Sequence, residues 1–215
     1  MIKGALLIPA SEAALPLALE QLRGGEPVVF PTDTVYGLGA GYAHQSAVAK
    51  IYRVKGRPLD KPIPLLLADP QDLPRVAGKI PDLAWRLVDQ FFPGALTLVV
   101  PKAPGIPDWV TAGGDGVAVR VPDHQFARSL IRRYGTPLAT SSANLAGRPA
   151  PVTAQEAFAQ LGQAVALILD GGPCPGGLES TLLDLTGPSP LLLREGAIGR
   201  EALEKVCGRA LDVLK

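Results

Sequence analysis

Apolar residues along this chain fall into two rhythms. Short runs without polar alternation occur at 27–31 (PVVFP), 63–68 (IPLLLA), 95–101 (ALTLVVP), 116–122 (GVAVRVP), 137–141 (PLATS), 164–170 (AVALILD), 180–186 (STLLDLT) and 190–194 (PLLLR). Runs of this kind predict strands, several of them buried on both faces. Between them, helical spacing predicts helices over 12–23, 45–54, 81–91, 124–134, 154–161 and 200–213. In the second, Val48, Ile51 and Tyr52 form one stripe at i, i+3, i+4. In the last, Leu203, Val206, Ala210 and Val213 share a face. Pro16 falls inside the first and unsettles where that helix starts. Strand follows strand without a helix at 95–101 to 116–122 and at 180–186 to 190–194. The expectation is therefore an α/β chain whose sheet mixes parallel and antiparallel pairs.

The 24 glycines and 22 prolines punctuate every element instead of collecting in a linker, and no internal repeat is visible. One domain over 1–215 is expected; GGPCPGG at 171–177 is the best alternative boundary and reads as a loop inside the fold. At 47% hydrophobic, the 215 residues can bury a substantial core. With 21 Lys+Arg against 20 Asp+Glu, bulk charge does not draw nucleic acid, so a basic site must be local. Cys174 and Cys207 read as reduced thiols of a cytosolic protein, and no C-x-x-C zinc spacing occurs. The apolar N-terminal stretch is broken by Pro9, Glu12, Pro16 and Glu20, so no signal peptide is expected. No apolar run approaches the roughly 18 residues of a membrane span. A cytoplasmic protein is the expectation.

The candidate chemistry begins at PTDTVYGLGAGYAHQSAVAKIYRVKGRPLDKP, residues 31–62. Thr32, Asp33 and Thr34 stand where a buried strand meets glycines. They form either a turn with side chains bonded to nearby backbone, or a ligand site at a strand's carboxyl end. Lys55, Arg57 and Lys61 follow within seven residues, fixed by Gly56 and Pro58. They read either as a solvated helix C-terminus or, preferred here, as a phosphate grip in which Arg57 can be bidentate. The Walker phosphate loop is absent, and Gly37, Gly39 and Gly41 miss the dinucleotide fingerprint by one residue. His44 and His124 have no acidic or cysteine neighbours at ligand spacing, so no protein-built metal site is expected. Ser141, Ser142 and Asn144 follow a short strand; alone they read as a cap or loop. Arg120 lies within an apolar strand and needs a core carboxylate or a ligand carboxylate as partner. Glu179, Ser180 and Thr181 open one strand and Arg194 ends another, so several strands share a polar, small or cationic end.

Taken in order, PTDTVYGLGA, KGRPLDKP, PGALTLVV, VAVRVP, TSSANLAGRPAP, GGLESTLLDL and LLREGAI resemble the YrdC-like family, the threonylcarbamoyl-AMP synthases. The resemblance runs from about Ile8 to Ile198 and suggests the short single-domain form. It implies an open, twisted α/β sheet with flanking helices and a concave central cavity. It also implies a nucleotidyltransferase reaction in which L-threonine, bicarbonate or CO2, and ATP give L-threonylcarbamoyl-AMP and pyrophosphate for tRNA modification. By resemblance, Lys55 and Arg57 are catalytic, and Arg57, Lys61, Gly116, Ser142, Asn144, Ala150 and Arg194 bind ATP. Thr34, Leu66, Arg120, Thr140 and Ser180 match threonine-binding positions, although relatives can carry a polar residue in place of Leu66. Mg²⁺ would travel with ATP, a tRNA threonylcarbamoyl transferase complex would act downstream, and weak tRNA binding is allowed.

Two other readings are set against this one. A non-enzymatic module for double-stranded RNA or tRNA is disfavoured by the near-zero net charge and 5% aromatics. A carbamoyl-phosphate-using domain of hydrogenase-maturation proteins would carry extra domains and zinc-finger cysteines.

Overall fold

The computed structural model describes residues 4–214; residues 1–3 and 215 of the expected 1–215 domain lie outside the described residues. All eight strands expected from the apolar runs form, in some cases trimmed: β2 (Val28–Phe30), β4 (Leu65–Leu66), β5 (Leu96–Pro101), β6 (Gly116–Arg120), β7 (Leu138–Ser142), β8 (Leu167–Asp170), β9 (Thr181–Asp184) and β10 (Leu191–Arg194). Three more join them: β1 (Leu6–Pro9), β3 (Gly37–Gly41) and β11 (Asp212–Val213). Together they make one sheet in the order β1-β8-β2-β3-β7-β4-β6-β5-β9-β10-β11. The sheet is open and mixed as expected; β5–β6 and β9–β10, the two pairs expected to lack an intervening helix, are antiparallel, and so is β2–β3. The longer helices are α1 (Leu15–Arg23), α2 (Gln45–Lys55), α3 (Asp82–Phe91), α5 (Gln125–Tyr134), α6 (Ala154–Leu161) and α7 (Arg200–Cys207), with a single turn, α4 (Asp108–Thr111), between β5 and β6.

Three local differences have clear causes. The first helix begins as a 3₁₀ turn at Glu12–Ala14, and α1 then places Pro16 in its first turn, where the missing N–H breaks no helical bond. The last helix, expected to reach residue 213, stops at Cys207 because Gly208 adopts a left-handed φ of 71° and its N–H caps the Glu204 carbonyl. The chain then turns back to pair as β11 with β10. Strand β3 is spelled GLGAG, a composition that strands normally avoid. Its glycines are required by its neighbours: a Cβ on Gly39 would lie 2.8 Å from Phe30 Cε1 and 2.9 Å from Thr140 Oγ1. Close approach of flanking side chains is what makes this glycine-rich segment a strand.

The two faces of the sheet are covered unequally. On one, Val29, Leu38, Leu65, Leu98, Val119, Ile168 and Leu183 belong to the main core, which also takes buried residues from α2, α3, α6 and α7. On the other, Val28, Phe30, Leu66, Leu138, Leu167 and Leu169 pack with Leu15, Ala18 and Leu22 of α1 and with Phe126, Leu130 and Ile131 of α5. None of the buried members of this second cluster comes from β5, β6, β9 or β10. Over those four strands the second face is left open and becomes the floor of a cavity of about 710 Å³. Among the described residues no helix is long and apolar enough to cross a membrane.

Because Phe30 is fully buried and cannot swing away from β3, Gly39→Ala should lose roughly 1–3 kcal/mol of stability through overpacking. Urea unfolding of the two proteins measures it; equal midpoints would show that β3 tolerates a side chain there.

Candidate active site

The open half of the sheet presents alternate side chains upward, as the two-residue period of a strand demands. From β6 come Gly116, Ala118 and Arg120; from β5, Thr97 and Val99; from β9, Leu182 and Asp184; and from the end of β10, Arg194. The walls are Thr32, Thr34, Val35 and Tyr36 after β2, the loop bearing Arg57 and Lys61, the end of β7 with Thr140, Ser141 and Ser142, and Glu179 with Ser180 before β9. At about 710 Å³ the cavity falls within the usual range for small-molecule sites.

Arg120 is the most buried charge in this cavity, with 6% exposure. Its Nη2 donates to Asp33 Oδ1 at 2.6 Å, its Nη1 to Thr34 Oγ1 at 2.8 Å and its Nε to the Gly94 carbonyl at 2.8 Å. Of the two partners the sequence left open, the protein supplies the core carboxylate. Asp33 is therefore more than a turn residue, and its Oδ1 also accepts from the Asp123 N–H at 3.1 Å. Burial pushes the Arg120 guanidinium below its ordinary value, and the Asp33 carboxylate opposes that shift. Three of the five guanidinium N–H groups are occupied, which leaves capacity for a ligand carboxylate. The turn itself is braced by Thr32, whose Oγ1 donates to the Val35 carbonyl at 2.6 Å. The loop 171–177 is tied to the same turn: the Gly176 and Gly177 N–H groups donate to the Asp33 and Thr34 carbonyls at 3.0 and 3.1 Å.

The opposite corner is set by Arg194. Its Nη1 donates to Glu179 Oε2 at 2.8 Å, and its Nη2 donates to the Ser180 carbonyl at 2.8 Å. Buried Thr181 locks the two segments together, donating to the Ile198 carbonyl at 2.6 Å and accepting from the Gly196 N–H at 2.9 Å. Ser180 Oγ and Thr97 Oγ1 are hydrogen-bonded at 2.8 Å, both buried where that wall meets the cavity floor.

Ten of the thirteen residues singled out in the sequence line this one cavity: Thr34, Arg57, Lys61, Leu66, Gly116, Arg120, Thr140, Ser142, Ser180 and Arg194. Lys55, Asn144 and Ala150 do not. Lys55, expected to face phosphate, is only 3% exposed and turns its ammonium inward to the Ser142 carbonyl, the Asn144 carbonyl at 2.7 Å and Asn144 Oδ1 at 3.2 Å. All three of its N–H donors are thus spent on the backbone and amide of one loop. Asn144 in turn donates through Nδ2 to the Leu145 and Arg148 carbonyls at 3.0 and 2.7 Å. This lysine and this asparagine form a brace that shapes the wall carrying Ser142. Arg57 and Lys61 remain on the cavity side. Gly56, with a left-handed φ of 62°, ends α2, and the loop closes through Arg57 Nη2 to the Pro62 carbonyl at 2.8 Å and Tyr52 Oη to the Lys61 carbonyl at 2.8 Å.

The sequence reading passed over Thr97, Asp184 and the pairing role of Asp33. Thr97 interrupts an apolar run, a polar residue where a buried strand calls for none, and that was the available signal. No group of three or more His, Cys, Asp or Glu residues that could hold a metal exists among the described residues.

A family profile for Sua5, YciO and YrdC proteins, described as Telomere recombination, matches residues 20–196. The threonylcarbamoyl-AMP synthase of Bacillus subtilis is 44% identical over 202 residues, covering 94% of this chain and 58% of its own length. That of Pyrococcus abyssi is 42% identical over 197 residues, covering 92% of this chain and 58% of its own. The crystal structure of P. abyssi Sua5 complexed with L-threonine superposes with a TM-score of 0.94 at 39% identity, over 98% of this chain and 63% of that one. The chain therefore spans about three-fifths of the length of these relatives.

Removing the carboxylate in Asp33→Ala leaves Arg120 buried and unpaired, which should destabilise the protein by about 3 kcal/mol or more. Chemical unfolding reads this directly, and a loss below about 1 kcal/mol would mean that water compensates the arginine. A second expectation concerns pH. Burial, reinforced by the Arg57 charge, pushes the Lys55 ammonium down to about 8. An unfolded lysine holds its proton to about 10.4. Between these values the unfolded chain binds more protons than the folded one, so the unfolding free energy rises with pH. From pH 8 to pH 10, wild type should gain about 2 kcal/mol relative to Lys55→Met. Paired urea titrations at the two pH values test it; an unchanged difference would show that the folded chain keeps Lys55 charged.

Proposed function

The chain belongs to the Sua5/YciO/YrdC family, and from that footing we propose that it makes L-threonylcarbamoyl-AMP and pyrophosphate from L-threonine, bicarbonate or CO2, and ATP. One observation carries the reading. A buried arginine with unspent donors and a separate set of cations open onto the same cavity, Arg120 on the floor and Arg57, Lys61 and Arg194 around it. A carboxylate and a polyphosphate can be held there at once.

In this reading Arg120 clamps the threonine carboxylate beside Thr34, Leu66, Thr140 and Ser180. ATP lies along Arg57, Lys61, Gly116, Ser142 and Arg194, with Asn144 and Ala150 shaping that wall from behind. The neutral α-amine adds to CO2, losing a proton, and becomes a carbamate. A carbamate oxygen then attacks the α-phosphorus while the bond to the bridging oxygen of pyrophosphate breaks. The protein's contribution is positioning and charge stabilisation, with Arg57 countering charge on the phosphates. Lys55 acts at one remove, by fixing the loop that presents Ser142. Mg²⁺ bound to the triphosphate would neutralise the departing pyrophosphate. Its preference for hard oxygen ligands suits Glu179 and Asp184, the two carboxylates that line the cavity. We place residues 1–215 in one catalytic unit. The same proposal includes a cytoplasmic setting, a tRNA threonylcarbamoyl transferase complex that consumes the product, and at most weak contact with tRNA, as suits a net charge of +1.

Pyrophosphate release from ATP should require both L-threonine and bicarbonate; release that ignores either one rejects the reaction. Arg57→Ala should lower the turnover number by roughly a hundredfold or more in a protein that melts normally. Near-normal turnover in that variant would remove Arg57 from the phosphate site.

A further inference from the structure

Most of the buried hydroxyls around the cavity are already spent on the protein. Thr32 donates to the Val35 carbonyl at 2.6 Å, and Thr140 donates to the Leu138 carbonyl at 3.1 Å. Thr34 bonds to Thr32 Oγ1 at 3.1 Å and accepts from Arg120 at 2.8 Å. Elsewhere on the lining, exposed Thr186 donates to Asp184 Oδ1 at 2.7 Å, and buried Thr111 accepts from Lys102 Nζ at 3.4 Å. Ser141 and Ser142 are only half-buried and belong to the wall braced by Lys55. Thr97 and Ser180 stand apart as two buried hydroxyls bonded to each other. Their oxygens lie 2.8 Å apart, and both residues are buried, at 2% and 6% exposure. Either can donate to the other, but two hydroxyls carry two hydrogens and this contact uses one. One donor stays unspent on a floor that also carries Val99, Ala118 and Leu182, while Ser180 Oγ accepts from Arg194 Nη2 at 3.4 Å. Burying an unpaired hydroxyl donor is unfavourable unless a ligand completes it.

The position of the pair narrows what that ligand group is. In the antiparallel β5–β6 register Leu98 faces Val119, so one step further Thr97 stands beside Arg120. A carboxylate held by Arg120 therefore brings the remainder of a small amino acid over Thr97. A hydroxyl on that remainder both donates and accepts, so it can close a ring of hydrogen bonds with Thr97 and Ser180. A methyl group in its place leaves the ring open.

We infer that Thr97, together with Ser180, is the specificity-determining residue that reads the side-chain hydroxyl of a β-hydroxy-α-amino acid, a role that rests on the amino-acid subsite proposed above. Thr97→Val keeps the shape of the floor and removes the hydroxyl. Thr97→Ser keeps the hydroxyl. The discriminating pair of ligands is L-threonine and L-2-aminobutyrate, which lacks only the hydroxyl. Calorimetric binding and pyrophosphate release are measured with both.

Wild type should favour threonine by about a hundredfold or more. Thr97→Val should shrink that ratio about tenfold or more by losing threonine affinity alone, while Thr97→Ser stays within about threefold of wild type. Ser180→Ala gives the same ratio should Thr97→Val fail to fold, since removing either hydroxyl breaks the ring. A Thr97→Val protein that discriminates like wild type overturns the inference, and so does one that weakens both ligands equally. Equal binding of the two ligands by wild type overturns it as well. Discrimination in binding without any pyrophosphate release would reject the proposed reaction and leave the hydroxyl reading standing.

Discussion

The buried ion pair between Arg120 and Asp33 is the contact on which the site depends. It joins the end of β6 to the turn after β2, strands that lie four places apart in the sheet order. With side-chain exposures of 7% and 13%, neither charge has water to fall back on. Such a pair adds little net stability over an apolar filling, because desolvation consumes most of the attraction. What it gives is geometry. The carboxylate, the Thr34 hydroxyl and the Gly94 carbonyl fix the guanidinium through three of its N–H groups, and with two left over it still lines the open cavity.

That floor exists because of a shortage of helices. One face of the sheet is covered along its length, whereas α1 and α5 cover the other only over its β1-to-β4 half. An uncovered sheet face is ordinarily a liability, since its inward positions would be apolar and exposed. Here those positions alternate glycine, alanine and arginine on β6 and threonine and valine on β5. The residues are small or polar where a packed face would carry leucine. The missing layer and the altered composition are two sides of one arrangement, and the void is where the substrates of the proposed reaction would lie.

How much of this was legible from sequence follows from the same physics. Buried strands announce themselves by unbroken apolar runs, so eight of them were readable, and the helical stripes placed six helices to within a few residues apart from the last. Strand β3 was not readable, because its glycines answer to Phe30 and Thr140, residues 7 or more positions away or a hundred distant in the chain. The end of the last helix rested on a single glycine taking a left-handed conformation. Among site residues, those on strand ends reached the cavity, since strand ends converge there. Lys55 did not, for a reason no linear pattern carries: its partners are carbonyls nearly ninety positions away in the sequence, brought close by the pairing of β3 with β7.

The fate of Lys55 also clarifies how the cations of the KGRP segment divide their work. An ammonium is a compact point charge whose three donors can be absorbed by carbonyl oxygens, as Ser142 and Asn144 absorb them here. A guanidinium is planar and forked, and Arg57 commits one nitrogen, Nη2, to the Pro62 carbonyl while still lining the cavity. Two cations a residue apart would repel one another, and burying the nearer one lowers its hold on a proton. Turning Lys55 onto a cage of carbonyl dipoles stabilises that charge and spends it on shape. Arg57 and Lys61 are then the charges of this segment that face the cavity, so of its three cations two are left for the anion grip of the proposed reaction.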